Sequence, residues 1–127
     1  MIAVDSSALM AIALNEPLAD RCADCLALSD KTIISAVALA EVLIVAQGHG
    51  IGDELRSLVE GLDIEVIPAT DTTAEQVAFV YKTWGKGHHK AGLNLVDCFS
   101  YAVAKERGCS LLFVGNDFIH TDIVSVL

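Results

Sequence analysis

Between Lys31 and Arg56 the 127-residue sequence contains no lysine or arginine. Within that gap Ile33 to Ala46 reads IISAVALAEVLIVA, where Ser35 and Glu41 are the only polar side chains. An ionised carboxylate among aliphatic neighbours is expensive unless something positive compensates it. No cation lies three or four residues away along the expected helix. The compensation must come from elsewhere in the fold or from a bound cation. The sequence also lacks an uninterrupted apolar run of the roughly 18 residues that a membrane span needs, because Glu41 splits the best candidate. The start, MIAVDSSAL, has no basic segment and carries an acid at position five. It does not read as a secretion signal, so a cytoplasmic protein with no membrane contact is expected.

Other absences narrow the chemistry. There is no G-x-S-x-G nucleophile elbow, no P-loop and no G-x-G-x-x-G dinucleotide fingerprint. Asp5 has no aspartate two residues on, as an aspartyl-nucleophile phosphatase would want. Four cysteines in a cytoplasmic protein argue against a disulfide framework. Cys22 and Cys25 form a C-x2-C, but no second pair or nearby histidine pair completes four zinc ligands. Small buried side chains are the expected role of these thiols.

What is present suits one domain spanning residues 1–127. A hydrophobic fraction of 54% and a mean hydropathy of +0.54 exclude disorder and indicate a well-filled core. Short apolar strands are expected at 2–4, 32–34, 64–67 and 111–114, with a further one possible at 123–126. Helices are expected between them: from Ala8, from Glu16-Pro17, after a Ser35 cap, over 53–60, after an Asp71 or Thr72 cap, and from Asn94 to Arg107 with Gly108 closing it. Strands alternating with helices indicate an α/β fold with a mainly parallel sheet of four to five strands covered on both faces.

Four acids stand in hydrophobic surroundings: Asp5, Glu41, Asp97 and Asp117. Asp5 follows the first strand directly, and Asp117 lies three residues beyond the strand that ends at Val114. Glu41 and Asp97 fall in the first two turns of helices entered from the same rim. In open α/β sheets ligands bind beyond the carboxyl ends of the strands, so the four could share one pocket. Three have plainer readings: Asp5 and Asp117 as helix or turn caps, and Asp97 as the partner of Asn94 in a capping box. A mid-helix Glu41 has none. Clustered carboxylates repel unless a divalent cation neutralises them. An all-oxygen donor set suits Mg²⁺, with Mn²⁺ as a substitute, for phosphodiester hydrolysis.

A net charge of −9 speaks against nucleic acid, but the distribution weakens the objection. Lys82, Lys86 and Lys90 fall within nine positions beside His88 and His89, giving a local basic arm, K-x3-K-G-H-H-K. A solvated loop is its plain alternative.

The blocks VDSSAL at 4–9, SAVALAEVLIV at 35–45, KGHHKAGLNLVDCFSYAVAKERG at 86–108 and LLFVGNDFIHTDI at 111–123 together resemble the PIN-domain ribonucleases, and most closely the VapC toxins of toxin–antitoxin modules. The likeness covers essentially the whole chain. It implies a PIN-like three-layer α/β/α sandwich and a Mg²⁺-dependent endoribonuclease toxin that leaves 5′-phosphate and 3′-hydroxyl ends. By the same resemblance Asp5, Glu41, Asp97 and Asp117 are the metal-binding catalytic acids, with Asp122 left as an alternative to Asp117. A homodimer and a cognate VapB-like antitoxin occluding the acidic pocket are also implied. Lys86, His88, His89 and Lys90 then become candidates for holding the RNA backbone. Val96 departs from the glycine usual before the family's aspartate and is expected to crowd the metal's approach. The competing classes are a catalytically inactive PIN-like interaction module and a phosphomonoesterase acting on small substrates.

Overall fold

The computed structural model describes all 127 residues. In chain order the elements are β1 (Ile2–Val4), α1 (Ser6–Ala13), α2 (Ala19–Leu28), β2 (Thr32–Ser35), α3 (Ala36–Gly48), α4 (Gly52–Gly61), β3 (Glu65–Ile67), α5 (Asp71–Trp84), α6 (Leu95–Arg107) and β4 (Ser110–Leu112). The four strands form one sheet in the order β3-β2-β1-β4, and every neighbouring pair is parallel.

The period of two along each strand divides the core into two layers. Ala3, Ile33 and Leu111 point to the face covered by α5 and α6, where they meet Val77, Val80, Cys98 and Tyr101. Val4, Ile34 and Leu112 point the other way, onto Leu9, Cys22, Ala38, Val42 and Leu55 of α1 to α4. Both faces of β1, β2 and β4 are therefore buried, which is why these strands read as apolar runs rather than alternating ones, while β3 at the sheet edge exposes Glu65 and Val66. The result is a three-layer α/β/α sandwich.

Several boundaries differ from the sequence reading. The 123–126 segment is not a fifth strand: it touches the sheet through one parallel bridge, Leu111 to Ser125. β4 ends at Leu112, not Val114. α2 starts at Ala19, two residues beyond Pro17, and its N-cap Leu18 offers no side-chain hydrogen bond. Thr70 caps α5, with Thr73 returning the bond, although Asp71 and Thr72 are equally competent cap residues. Asn94 and Asp97 form the expected capping box, and Gly108 closes α6 at φ 63°. No helix is long and apolar enough to cross a membrane.

Strand order sets the position of the site. From β1 the chain proceeds outward to β2 and β3, then returns to place β4 on the other side of β1. The order therefore reverses between β1 and β4, the point in such sheets where ligands bind beyond the carboxyl ends of the strands. Asp5 follows β1 directly at that end, and the segment after β4 carries Asp117.

Candidate metal centre

Asp5 is 4% exposed and serves as the N-cap of α1. Its Oδ2 accepts hydrogen bonds from the Ser7 amide at 3.1 Å and the Ser7 hydroxyl at 2.7 Å. Its Oδ1 accepts from the Ser100 hydroxyl of α6 at 2.7 Å. Ser7 Oγ in turn accepts from the Val114 amide at 3.0 Å, tying the start of α1 to the chain leaving β4. The capping reading of Asp5 and the site reading thus describe the same carboxylate.

Glu41 corrects the premise drawn from its apolar neighbours. It is half-buried rather than interior, and the Ser6 hydroxyl donates to its Oε1 at 2.5 Å. α3 is apolar on all sides, yet Ala40, Ile44 and Val45 are exposed, so Glu41 lies on the helix's open side. Water and Ser6 therefore reduce its desolvation cost.

Asp97, 7% exposed, lies in the first turn of α6. Its Oδ2 accepts from the Asn94 amide at 3.0 Å, while its own amide donates to Asn94 Oδ1 at 2.8 Å. Burial pushes the carboxyl up to about 7; the Asn94 hydrogen bond opposes this, and the charges of Asp117, Asp5 and Glu41 add to the rise. The other three predicted acids therefore all act electrostatically on Asp97. Their grouping is nonetheless loose: no three His, Cys, Asp or Glu side chains stand close enough to enclose an ion by themselves. Any ion held there would keep most of its coordination as water, because few of these oxygens reach one point.

Asp117 is exposed. Asp122, the alternative, faces elsewhere. It accepts hydrogen bonds from the Tyr101 hydroxyl and, at 3.1 Å, from Lys105 Nζ, and Trp84 Nε1 donates to the same Tyr101 oxygen at 3.1 Å. The Tyr101 hydroxyl, chiefly by its hydrogen bond, holds Asp122 below the usual carboxylate range. Asp122 thus braces the C-terminal segment against α6. Val96 is half-buried and packs into the core layer of α1 to α4.

The sequence reading missed the serines. Ser6, Ser7 and Ser100 supply most of the donors that orient Asp5 and Glu41. The D-S-S triplet was a visible signal for the first two, but Ser100 meets Asp5 across 95 residues.

The basic loop from Gly85 to Leu93 is closed by paired hydrogen bonds, Lys86 N to Leu93 O at 3.0 Å and Leu93 N to Trp84 O at 3.1 Å. Lys82, Lys86 and Lys90 are exposed and form no ion pair. His88 is exposed, its ring edge-on to Tyr81. His89, also a candidate for holding the RNA backbone, is half-buried. Its ring rests against Trp84 at 4.8 Å and its Nδ1 accepts from the Ala91 amide, so it shapes the loop.

Residues 2–124 match the family model described as PIN domain. Among named relatives, the chain is 36% identical to the VapC ribonuclease Mb0640 of Mycobacterium bovis, over 97% of this chain and 96% of that one. It is 41% identical to ribonuclease VapC36 of Mycobacterium tuberculosis, over 94% and 89%. The fold superposes on the crystal structure of the Mycobacterium tuberculosis toxin VapC20, described as cleaving the sarcin–ricin loop, with a TM-score of 0.78 at 19% identity, covering 98% of this chain and 97% of that one. A toxin–antitoxin complex from Klebsiella pneumoniae gives the same score at 17% identity, covering 100% and 97%. With the domain model matched almost end to end and these identities held over nearly full lengths, the chain belongs to the PIN-domain family, among the VapC ribonucleases.

Proposed function

We propose that the protein is an endoribonuclease toxin of a toxin–antitoxin pair and hydrolyses RNA phosphodiester bonds at the four-carboxylate crevice with Mg²⁺, or Mn²⁺ in its place. The observation that carries this is the placement of four acids at the carboxyl ends of β1 and β4, with Asp5 and Asp97 buried there. A carboxyl raised to about 7 by burial and by three further acids is an unfavourable arrangement for the metal-free fold, and a divalent cation relieves it. Asp5, Glu41, Asp97 and Asp117 would hold the ion. When bound, it supplies Lewis acidity toward a phosphate oxygen and a nucleophile from water at neutral pH.

The protein's own part is orientation. Ser7 and Ser100 fix both oxygens of Asp5, Ser6 fixes Glu41, and the Asn94 amide holds Asp97 Oδ2 while leaving Oδ1 free. Lys82, Lys86 and Lys90 offer unpaired cations for the RNA backbone on an otherwise acidic body. Ile44 and Val45, one turn beyond Glu41, are 68% and 40% exposed. Such apolar surface beside an acidic pocket supports a protein antitoxin that covers the site, and the family likeness supports a homodimer.

The test is cleavage of a structured RNA by the purified protein with Mg²⁺, with EDTA, and after Asp97→Asn. Cleavage giving 5′-phosphate ends that disappears under both treatments is expected. Activity that survives both overturns the mechanism. Phosphate release from small monoesters without RNA cleavage would instead identify a phosphomonoesterase.

A further inference from the structure

A second concavity opens between α5 and α6, and the ribonuclease reading does not account for it. Its volume is about 640 Å³, within the roughly 300–1,000 Å³ typical of small-ligand sites. Val77, Tyr81, Leu95 and Phe99 form the apolar walls, and Lys86 and Asn94 stand at the polar edge.

Three features give it the character of a nucleotide subsite. The first is a fixed aromatic wall. The Tyr81 hydroxyl donates to the Lys86 carbonyl at 3.1 Å, and the ring lies so close to Gly85 that a Cβ there would fall 2.7 Å from two ring carbons. The second is unused polar capacity. Lys86 forms no ion pair, and Asn94 spends Oδ1 on the Asp97 amide while its Nδ2 makes no hydrogen bond within the protein. The third is continuity with the acids, because Asn94 is bonded to Asp97 in both directions. An apolar cleft with aromatic walls, a free amide donor and a free cation matches a base, its edge and its phosphate.

Building on the ribonuclease reading, we propose that this cleft receives one unpaired base of single-stranded RNA next to the cleaved bond, with Lys86 on the adjoining phosphate. Tyr81 and Phe99 supply the stacking surface and Asn94 Nδ2 a donor for the base edge. The cleft thereby contributes to the choice of cleavage position, a role separate from the chemistry of the acids.

The experiment compares an RNA containing the cleaved bond with copies carrying an abasic ribose at each neighbouring position in turn. Stacking of one base contributes about five- to a hundredfold in affinity, so one abasic position should raise KM about tenfold for the wild-type protein. Ala78 lines the cleft from an exposed position on α5, so Ala78→Leu fills it without disturbing the core. In that variant intact and abasic RNA should have nearly equal KM, the two losses failing to add. No abasic effect in the wild type, or losses that simply add, overturns the proposal. So does a variant that changes only the oligomeric state in size-exclusion chromatography, which would assign the cleft to a second copy. Fluorescence anisotropy of the same RNAs in EDTA applies the test without cleavage. A protein that cannot cleave RNA at all would therefore refute the nuclease reading while leaving the subsite to be judged by binding.

Discussion

Replacing Asp97 by asparagine should stabilise the metal-free protein at pH 8 while destroying its affinity for the ion. The Asp97 carboxyl is raised from 3.8 to about 7 in the folded state. The folded form thus holds its proton more tightly than the unfolded chain does. Stability from this source is fully present below pH 3.8 and is lost as pH rises to about 7. With about 1.4 kcal/mol per unit, the loss reaches about 4 kcal/mol above pH 7. Asparagine does not titrate, and its Oδ1 can still accept the Asn94 amide. In EDTA at pH 8, Asp97→Asn should therefore melt about 12–16 °C above the wild type, taking roughly 3–4 °C per kcal/mol for a domain of this size. At pH 5 much of the gap should close, because wild-type Asp97 is then largely protonated. Far-UV circular dichroism melts at the two pH values measure this directly. Mg²⁺ at pH 8 should raise the wild-type Tm by mass action and leave the variant unmoved. Equal pH dependence of the two proteins in EDTA would refute the account of Asp97.

Glu41→Gln should retain the Ser6 hydrogen bond and the fold but weaken Mg²⁺ binding at least tenfold, read by isothermal titration calorimetry; unchanged affinity reduces the site to three acids. Tyr101→Phe removes the oxygen shared by Trp84 Nε1 and Asp122, so it should cost about 1–3 kcal/mol in chemical denaturation and shift the emission of the sole tryptophan. Exchanging Lys82 and Lys90 for glutamine should leave Mg²⁺ affinity intact and flatten the salt dependence of RNA binding by about 0.7 in slope per lost phosphate contact. An unchanged slope would return those lysines to the role of solvated surface.

The layer architecture and the pairing of Asn94 with Asp97 could be read from the sequence because their signals are local. Strands show as apolar runs, and Asn94 to Asp97 has cap spacing whatever the rest of the fold does. The sequence left choices open, or misled, where the deciding contact is distant or the local signal is degenerate. Thr70, Asp71 and Thr72 are all good caps, and only the backbone selects among them. Asp117 and Asp122 are indistinguishable until Tyr101, 21 residues away, claims the second. Glu41 seemed costlier than it is because α3, apolar all round, carries no periodicity to reveal its open side. Ser100 gives no sign in the sequence that it reaches Asp5.

The Ser7 hydroxyl, held between Asp5 and the Val114 amide 107 positions away, bears on synthesis as much as on geometry. An amino-terminal fragment emerging from the ribosome possesses Asp5 and Glu41 but neither the hydroxyl of Ser100 that steadies the first nor the acids that complete the set. β1, though made first, stays unpaired on one edge until β4 arrives. Contacts of such long sequence separation form late and slowly. Until the chain around Val114 has been made, Asp5 lacks the Ser100 hydroxyl, Ser7 lacks the Val114 amide, and Asp97 or Asp117 is still missing, so an amino-terminal fragment cannot assemble the site.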